Sequence, residues 1–434
     1  MARENRRSLT IKVDALARVE GEGALTIKTR NGKPEVVQLE IYEPPRFFEA
    51  LLRGRYASEA PDITARICGI CPVAYQMSAC NALETLYGVT IPAELRLLRL
   101  LMYYGEWIES HTLHVALLHA PDFLGYESGI HLAKDYPDLI KKALQLKQVG
   151  NALIALIGGR EIHPINVRVG GFYAAPRAQE IRGLRSRLDE ALGIAIELAH
   201  WVSGFAFPDF EQDYEFVALR HPDEYAILDG RIVSSRGLDL PVQEFDDSFT
   251  EHQVPYSHAL HSLIRGQGSY MVGPLARFNL NFEQLSPAAR SLADYAGVQP
   301  PLLNPFKSII VRSMEIVHAL EQALWLTEHY SPPAIPFVEH KVRAGVGCGA
   351  SEAPRGILYH RYRVEADGLI GDARIVPPTS QNQKRIEDDL WSFAPQVLDL
   401  PKDRATWLCE QAVRNYDPCI SCATHFLKLN IEEA

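Results

Sequence analysis

Two cysteine pairs of identical spacing stand near opposite ends of this 434-residue chain, Cys68 with Cys71 in RICGICP and Cys419 with Cys422 in DPCISCATH. The second pair begins 351 positions after the first. A zinc ribbon sets its pairs roughly 15–20 residues apart, so that one small loop-rich unit closes on the metal. If these pairs share a site, the fold must bring the two ends of the chain together. Two separate redox dithiols are the rival reading, but a thioredoxin-like pair belongs beside a strand–helix–strand unit, and neither flank resembles one. Four thiolates would suit zinc, iron, nickel or copper, and spacing does not choose among them.

Composition narrows the role of such a site. With 47% apolar residues, the chain can bury a core without a metal staple, which weakens a purely structural zinc. A formal charge of −10 argues against a nucleic-acid partner. The start, MARENRRSLT, lacks an apolar leader, and no run of about 18 apolar residues occurs, so no membrane span and a cytoplasmic location are expected. Seven cysteines are too few for a disulfide scaffold. Cys80, Cys348 and Cys409 read as packing residues.

Hydrophobic patterning predicts a fold that is mainly α with small β elements (α+β). Over residues 8–42, LTIKV, GALTIKT and EVVQLEIY read as strands, with Asn31-Gly32 as a hairpin turn. Helical periodicity dominates from Arg46. RFFEALLRG ends in a capping Gly54, Pro72 opens a further helix, and residues 93–120 read as one long helix. Helical patterns also cover roughly 134–157, 177–203 and 305–330, whereas 204–250 and 331–356 read as loops. The expectation is one large helical body over 1–425, with β elements at its periphery.

The residues flanking the cysteines are specific. Arg66, Cys68, Gly69, Cys71 and Pro72, together with Asp417, Pro418, Cys419, Cys422 and His425, resemble the two signature motifs of the large subunit of nickel–iron hydrogenases. ARVEGEG, FFEALLRGR, GSYMVGPLARFN, SEAPRG and IVPPT extend the likeness along the chain and look like the cytosolic, coenzyme-linked branch.

That resemblance implies reversible cleavage of hydrogen at a centre carrying carbon monoxide and cyanide on iron. Cys68 and Cys419 would be terminal thiolates on nickel, and Cys71 and Cys422 would bridge nickel to iron. Cys419 would accept the proton and Glu20 would pass it on, a task suited to a carboxyl whose pKa burial has raised. By itself Glu20 reads as a surface residue of a hairpin turn. Arg355 would hang over the centre, with Pro354, Pro377, Pro378 and Thr379 facing the diatomic ligands. Asp417 would pair with Arg66 or another arginine. Glu49 and His425, with a carbonyl near Arg374, would hold magnesium. Ser110 and Tyr75 depart from better-known members, which have aspartate and histidine there.

The resemblance further implies cleavage between His425 and Phe426 by a maturation endopeptidase, so that 426–434 is a maturation tail. It also implies a small iron–sulfur subunit, because this chain has no further cysteine sets for clusters, and flavin-containing diaphorase partners that pass electrons to NAD or NADP. A deazaflavin-linked enzyme, a hydrogen sensor, and a metal-free scaffold subunit of the kind found in respiratory NADH dehydrogenase are the alternatives. His111 with His114, and His258 with His261, have helical spacing for half a metal site but read better as packed residues. GQGSYMVG lacks the glycine spacing of a dinucleotide-binding turn.

Overall fold

The computed structural model describes residues 8–425. The predicted tail 426–434, including Phe426, lies outside the described residues. Near the N-terminus, Thr10–Val13, Gly23–Arg30 and Lys33–Ile41 form an antiparallel sheet in that order. Its hairpin turns at Asn31 (φ 51°) and Gly32 (φ 77°), the residue pair that best accepts two positive φ values. Alternate residues such as Leu25, Ile27, Leu39 and Ile41 point into the core.

Helices make up most of the rest. Pro72 is the first residue of the helix Pro72–Tyr87, where its missing N–H costs nothing, and Gly88 (φ 67°) closes it. The predicted long helix is α-helical over Ala93–Leu113 and then widens into a π-helical turn at His114–His119. It packs against Pro137–Gly158 and Ser308–His329, and the latter also covers Arg185–Ser203. Further helices, Pro378–Val397 and Lys402–Arg414, lead to the short turn Ile420–Ala423 that carries the second cysteine pair.

Two regions predicted as loops contain strands. Val217–Arg220, Arg231–Ser234 and Asp239–Leu240 form a small sheet within 204–250. More consequential is a buried meander of Gly345–Ala353, Gly356–Val364 and Ile370–Val376, which is central rather than peripheral. Gly347 and Gly349 are there because the strand lies directly on the Pro72 helix. A Cβ at Gly349 would stand 2.3 Å from the Ala82 nitrogen, and one at Gly347 only 2.1 Å from the Ala82 carbonyl oxygen. Glycine that reads as loop in sequence is serving sheet-on-helix contact.

This arrangement positions the site. Cys71 caps the Pro72 helix, Cys419 caps the last turn, and Arg355 sits in the tight hairpin between the first two strands of the meander. All four paired cysteines belong to the main hydrophobic core.

Candidate metal centre

The ends of the chain do meet. The Sγ atoms of Cys68, Cys71, Cys419 and Cys422 all lie within 4.8 Å of one another, and all four residues are buried. Cys68 Sγ is 3.5 Å from Cys419 Sγ, Cys71 Sγ is 3.9 Å from Cys422 Sγ, and the two sulfurs of the second pair are 2.8 Å apart. None is in a disulfide. Cys80, Cys348 and Cys409 are buried singly elsewhere, as their isolation in sequence predicts.

The four thiols sit in unlike electrostatic surroundings. Hydrogen bonds from Cys419, Cys422 and Cys71 pull the Cys68 thiol well below its ordinary pKa, and the N–H groups of Ile70 and Cys71 also donate to Cys68 Sγ. Burial pushes Cys419 well up and Cys422 up as well. Four buried sulfurs cannot all be thiolates without a compensating charge, so the donor set fits a soft or borderline cation.

Glu20 reaches this cluster from the opposite end of the sequence. Its Oε2 accepts from Cys419 Sγ and from the Ser421 N–H, each at 3.1 Å, and its main chain forms a parallel bridge with Cys419. Arg355 is fully engaged from the other side. Its Nε donates to the Asp417 carbonyl at 2.7 Å, Nη2 donates to Asp417 Oδ1 at 3.2 Å, and Nη1 lies 3.5 Å from Ser110 Oγ. Asp417, Cys419, Cys71 and Cys68 together hold the buried guanidinium in its charged form against the opposing effect of burial. Asp417 therefore pairs with Arg355. The short turn Ala65–Ile67 points Ile67 inward and leaves Arg66 exposed, so Arg66 does not fill the expected place beside Asp417.

Thr379 Oγ1 accepts the Cys419 N–H at 3.0 Å, and Pro354, Pro377 and Pro378 are buried. A separate pair forms where the chain passes His425, whose Nε2 is 3.0 Å from Glu49 Oε2, while Glu49 Oε1 accepts the Ile375 N–H next to Arg374. Both line a cavity of about 280 Å³ that also touches Cys422 and Pro377. The Arg374 side chain pairs with Asp246 and with Glu251, and Glu251 lines the same cavity. Tyr75 is buried, and desolvation followed by the charges of Cys422, Cys71 and Cys68 keeps its phenol well above the usual range.

His111, His114 and His258 are held by contacts within the fold. His111 Nε2 lies 2.9 Å from Glu315 and burial lowers its pKa to about 4, so it is a neutral core residue. His114 Nε2 bonds the Arg414 carbonyl at 2.8 Å. His258 Nδ1 bonds the Glu43 carbonyl, and its own carbonyl accepts the His425 N–H.

Sequence reasoning missed two supports. Glu106 is wholly buried and accepts the N–H groups of Val73 and Ala74, fixing the turn after Cys71. Glu43 accepts from Ser421 Oγ at 2.9 Å and from the Glu22 N–H, tying the second cysteine turn to the first sheet. No local motif marks either residue.

Fold and site define a large, mainly helical subunit with one buried thiolate centre joining the two ends of its chain. A nickel-dependent hydrogenase family model matches residues 46–134. The chain is 34% identical to sulfhydrogenase 1 subunit alpha of Pyrococcus furiosus, over 97% of this chain and 99% of that one. It is 27% identical to the NAD-reducing hydrogenase HoxS subunit beta of Cupriavidus necator, over 97% and 95%. A crystal structure of an NAD+-reducing [NiFe]-hydrogenase in the H2-reduced state superposes with a TM-score of 0.86 at 27% identity, covering 96% of this chain and 99% of that one. The chain belongs to the nickel-dependent hydrogenases and is a large subunit of the nickel–iron type, an oxidoreductase acting on hydrogen.

Proposed function

We propose that the four thiols hold the nickel–iron centre with Cys68 and Cys419 on nickel alone and Cys71 and Cys422 shared with iron, the iron carrying carbon monoxide and cyanide. The observation that carries this reading is the convergence of four buried Sγ atoms on Glu20 Oε2 through Cys419. When bound, the centre supplies the redox and Lewis-acid chemistry that polarises molecular hydrogen.

The chain does the rest. Cys419 Sγ takes the proton released on heterolytic cleavage and hands it to Glu20 Oε2, 3.1 Å away. The Ser421 N–H and the backbone bridge keep that carboxylate at its post. Arg355, clamped by Asp417, presents a fixed cation to the four cysteines and would donate hydrogen bonds to cyanide on a bound iron. Pro354, Pro377 and Thr379, all buried, would face the diatomic ligands of the iron, and Thr379 Oγ1 also holds the Cys419 N–H. Glu49 and His425, with a backbone carbonyl near Arg374, would hold magnesium beside the second cysteine turn.

Electrons must leave through a partner, since no second thiol cluster exists among the described residues. The exit we favour is beside Gly69, where a Cβ would stand 3.9 Å from exposed Ile162. Ile165, Tyr173 and Ile335 are also exposed on the adjoining segments, giving an apolar face suited to a small iron–sulfur subunit. The likeness to NAD-reducing relatives supports flavin-containing diaphorase partners and NAD or NADP as acceptor. A relative from Methanothermobacter marburgensis, 30% identical, is named an F420-non-reducing hydrogenase, a name that speaks for neither NAD nor a deazaflavin as acceptor. No helix among the described residues is long and apolar enough to cross a membrane. A cytoplasmic location and a precursor cut after His425 complete the proposal.

Hydrogen-dependent reduction of a viologen dye by the nickel-loaded complex tests the reading. Turnover with infrared bands of iron-bound carbon monoxide and cyanide is expected. Those bands with only trace turnover would instead identify a sensor, and nickel without the bands would refute the diatomic ligands.

A further inference from the structure

Arg277 is buried on the helix Pro274–Asn281, and each of its five N–H donors is used. Nε and Nη2 fork onto the Glu315 carboxylate at 2.7 Å each, and Nη1 donates to Glu352 Oε2 at 2.9 Å. The remaining two bonds go to main-chain carbonyls, Ala353 from Nη1 and Pro354 from Nη2, both at 3.0 Å. These are the two residues that immediately precede Arg355. The guanidinium also lies 4.3 Å from the centroid of the Trp107 ring, and Trp107 Nε1 donates to the Glu352 carbonyl at 2.9 Å.

The same helix start presses on the far side of the hairpin. A Cβ at Gly273 would stand 2.7 Å from the Arg355 carbonyl oxygen, so no slack exists there. Arg355 thus leaves a turn gripped on both sides, and its own guanidinium is then fixed only at Asp417 and Ser110. We infer that Arg277 is the positioning residue for Arg355, holding the carbonyls of Ala353 and Pro354 so that the second guanidinium meets the thiolate cluster at one height. This rests on the reading of Arg355 as the group over the metal centre.

Lysine at 277 separates this role from charge balance. It keeps a cation for Glu315, but a tetrahedral ammonium with three donors cannot span two carboxylates and two carbonyls. The test compares Arg277→Lys, Arg355→Lys and the double variant in the assembled holoenzyme, by hydrogen-dependent dye reduction with nickel content measured alongside. Misplacing a working group by about an ångström can cost about 10²-fold, so Arg277→Lys is expected to lower kcat by about 10- to 100-fold at unchanged nickel content. In the Arg355→Lys background it should cost nothing further. An equal loss in both backgrounds would overturn the inference and leave the role of Arg355 standing. Full activity of Arg355→Lys alone would overturn both.

A readout independent of turnover is amide hydrogen exchange in the unloaded chain. Arg277→Lys should speed exchange at Ala353, Arg355 and Gly356 by about tenfold or more, with the first sheet unchanged. Unaltered protection at those amides, or a uniform rise across the chain, would overturn the anchor.

Discussion

Glu20 and Cys419, 399 positions apart, meet where Cys419 Sγ donates to Glu20 Oε2 at 3.1 Å, and the next residue, Ile420, adds a main-chain bond from its N–H to the Glu20 carbonyl at 2.9 Å. The main-chain bond fixes the distance, and the side-chain bond offers a route for a proton. A feature that resembles a surface turn in sequence is therefore the contact that closes the first sheet onto the last turn.

Glu20→Gln separates the two links. The amide can still accept the Ser421 N–H, and the backbone bridge is untouched, but no proton can be relayed. Hydrogen oxidation should fall by about 10²- to 10⁴-fold with nickel content unchanged. Dye reduction and metal analysis on the same preparation check this, and wild-type rates would send the proton by another route.

Cys71→Ser tests the division of labour within the first pair. Cys71 caps a helix whose start is held independently by Glu106, so the helical content should survive. We expect an unchanged far-ultraviolet circular dichroism spectrum, loss of bound iron and no hydrogen oxidation. A variant that loads both metals and turns over would show that Cys71 is not a shared ligand.

Glu387 gives the fold a pH dependence of its own. Burial lifts its pKa from 4.5 to about 7, opposed by the Leu39 N–H and the Tyr256 hydroxyl that donate to it. Between those two values the folded chain holds a proton that the unfolded chain has released, so stability is fully present below 4.5 and declines as pH rises through about 7. Glu352, also raised to about 7 by burial, acts with the same sign. Glu109, raised to about 7, and Asp389, raised to about 6, add to it, and Glu387→Gln keeps both acceptor contacts and removes one such proton, so the fall in urea midpoint between about pH 5 and pH 8 should become shallower.

Gly349→Ala should destabilise the chain by about 1–3 kcal/mol, because the added methyl would overlap the main chain of the Pro72 helix. Urea denaturation of the unloaded chain measures it. A neutral result would mean that helix and meander can move apart without cost.

Much of this was legible in the sequence for definable reasons. The Asn31-Gly32 turn, the Pro72 helix start and the thiol pairs are local signals, each set by the chemistry of a few adjacent residues. The meander was hidden because Gly345, Gly347 and Gly349 are chosen for contact with a helix some 260 residues earlier, which no local pattern records. An arginine partner for Asp417 was legible, but which arginine was not: Arg66 is nearer the first cysteine in sequence, yet the turn that carries it faces outward and Arg355 takes the place. Arg277, Glu315 and Glu352 come from three distant segments and satisfy one another only in the folded state.

The central claim is that four buried cysteine sulfurs bind nickel. X-ray absorption at the nickel K edge of the loaded protein tests it most directly. The account predicts a nickel shell dominated by sulfur that loses sulfur scattering in Cys68→Ser. Nickel surrounded only by nitrogen and oxygen, or a sulfur shell unchanged by that substitution, would contradict it.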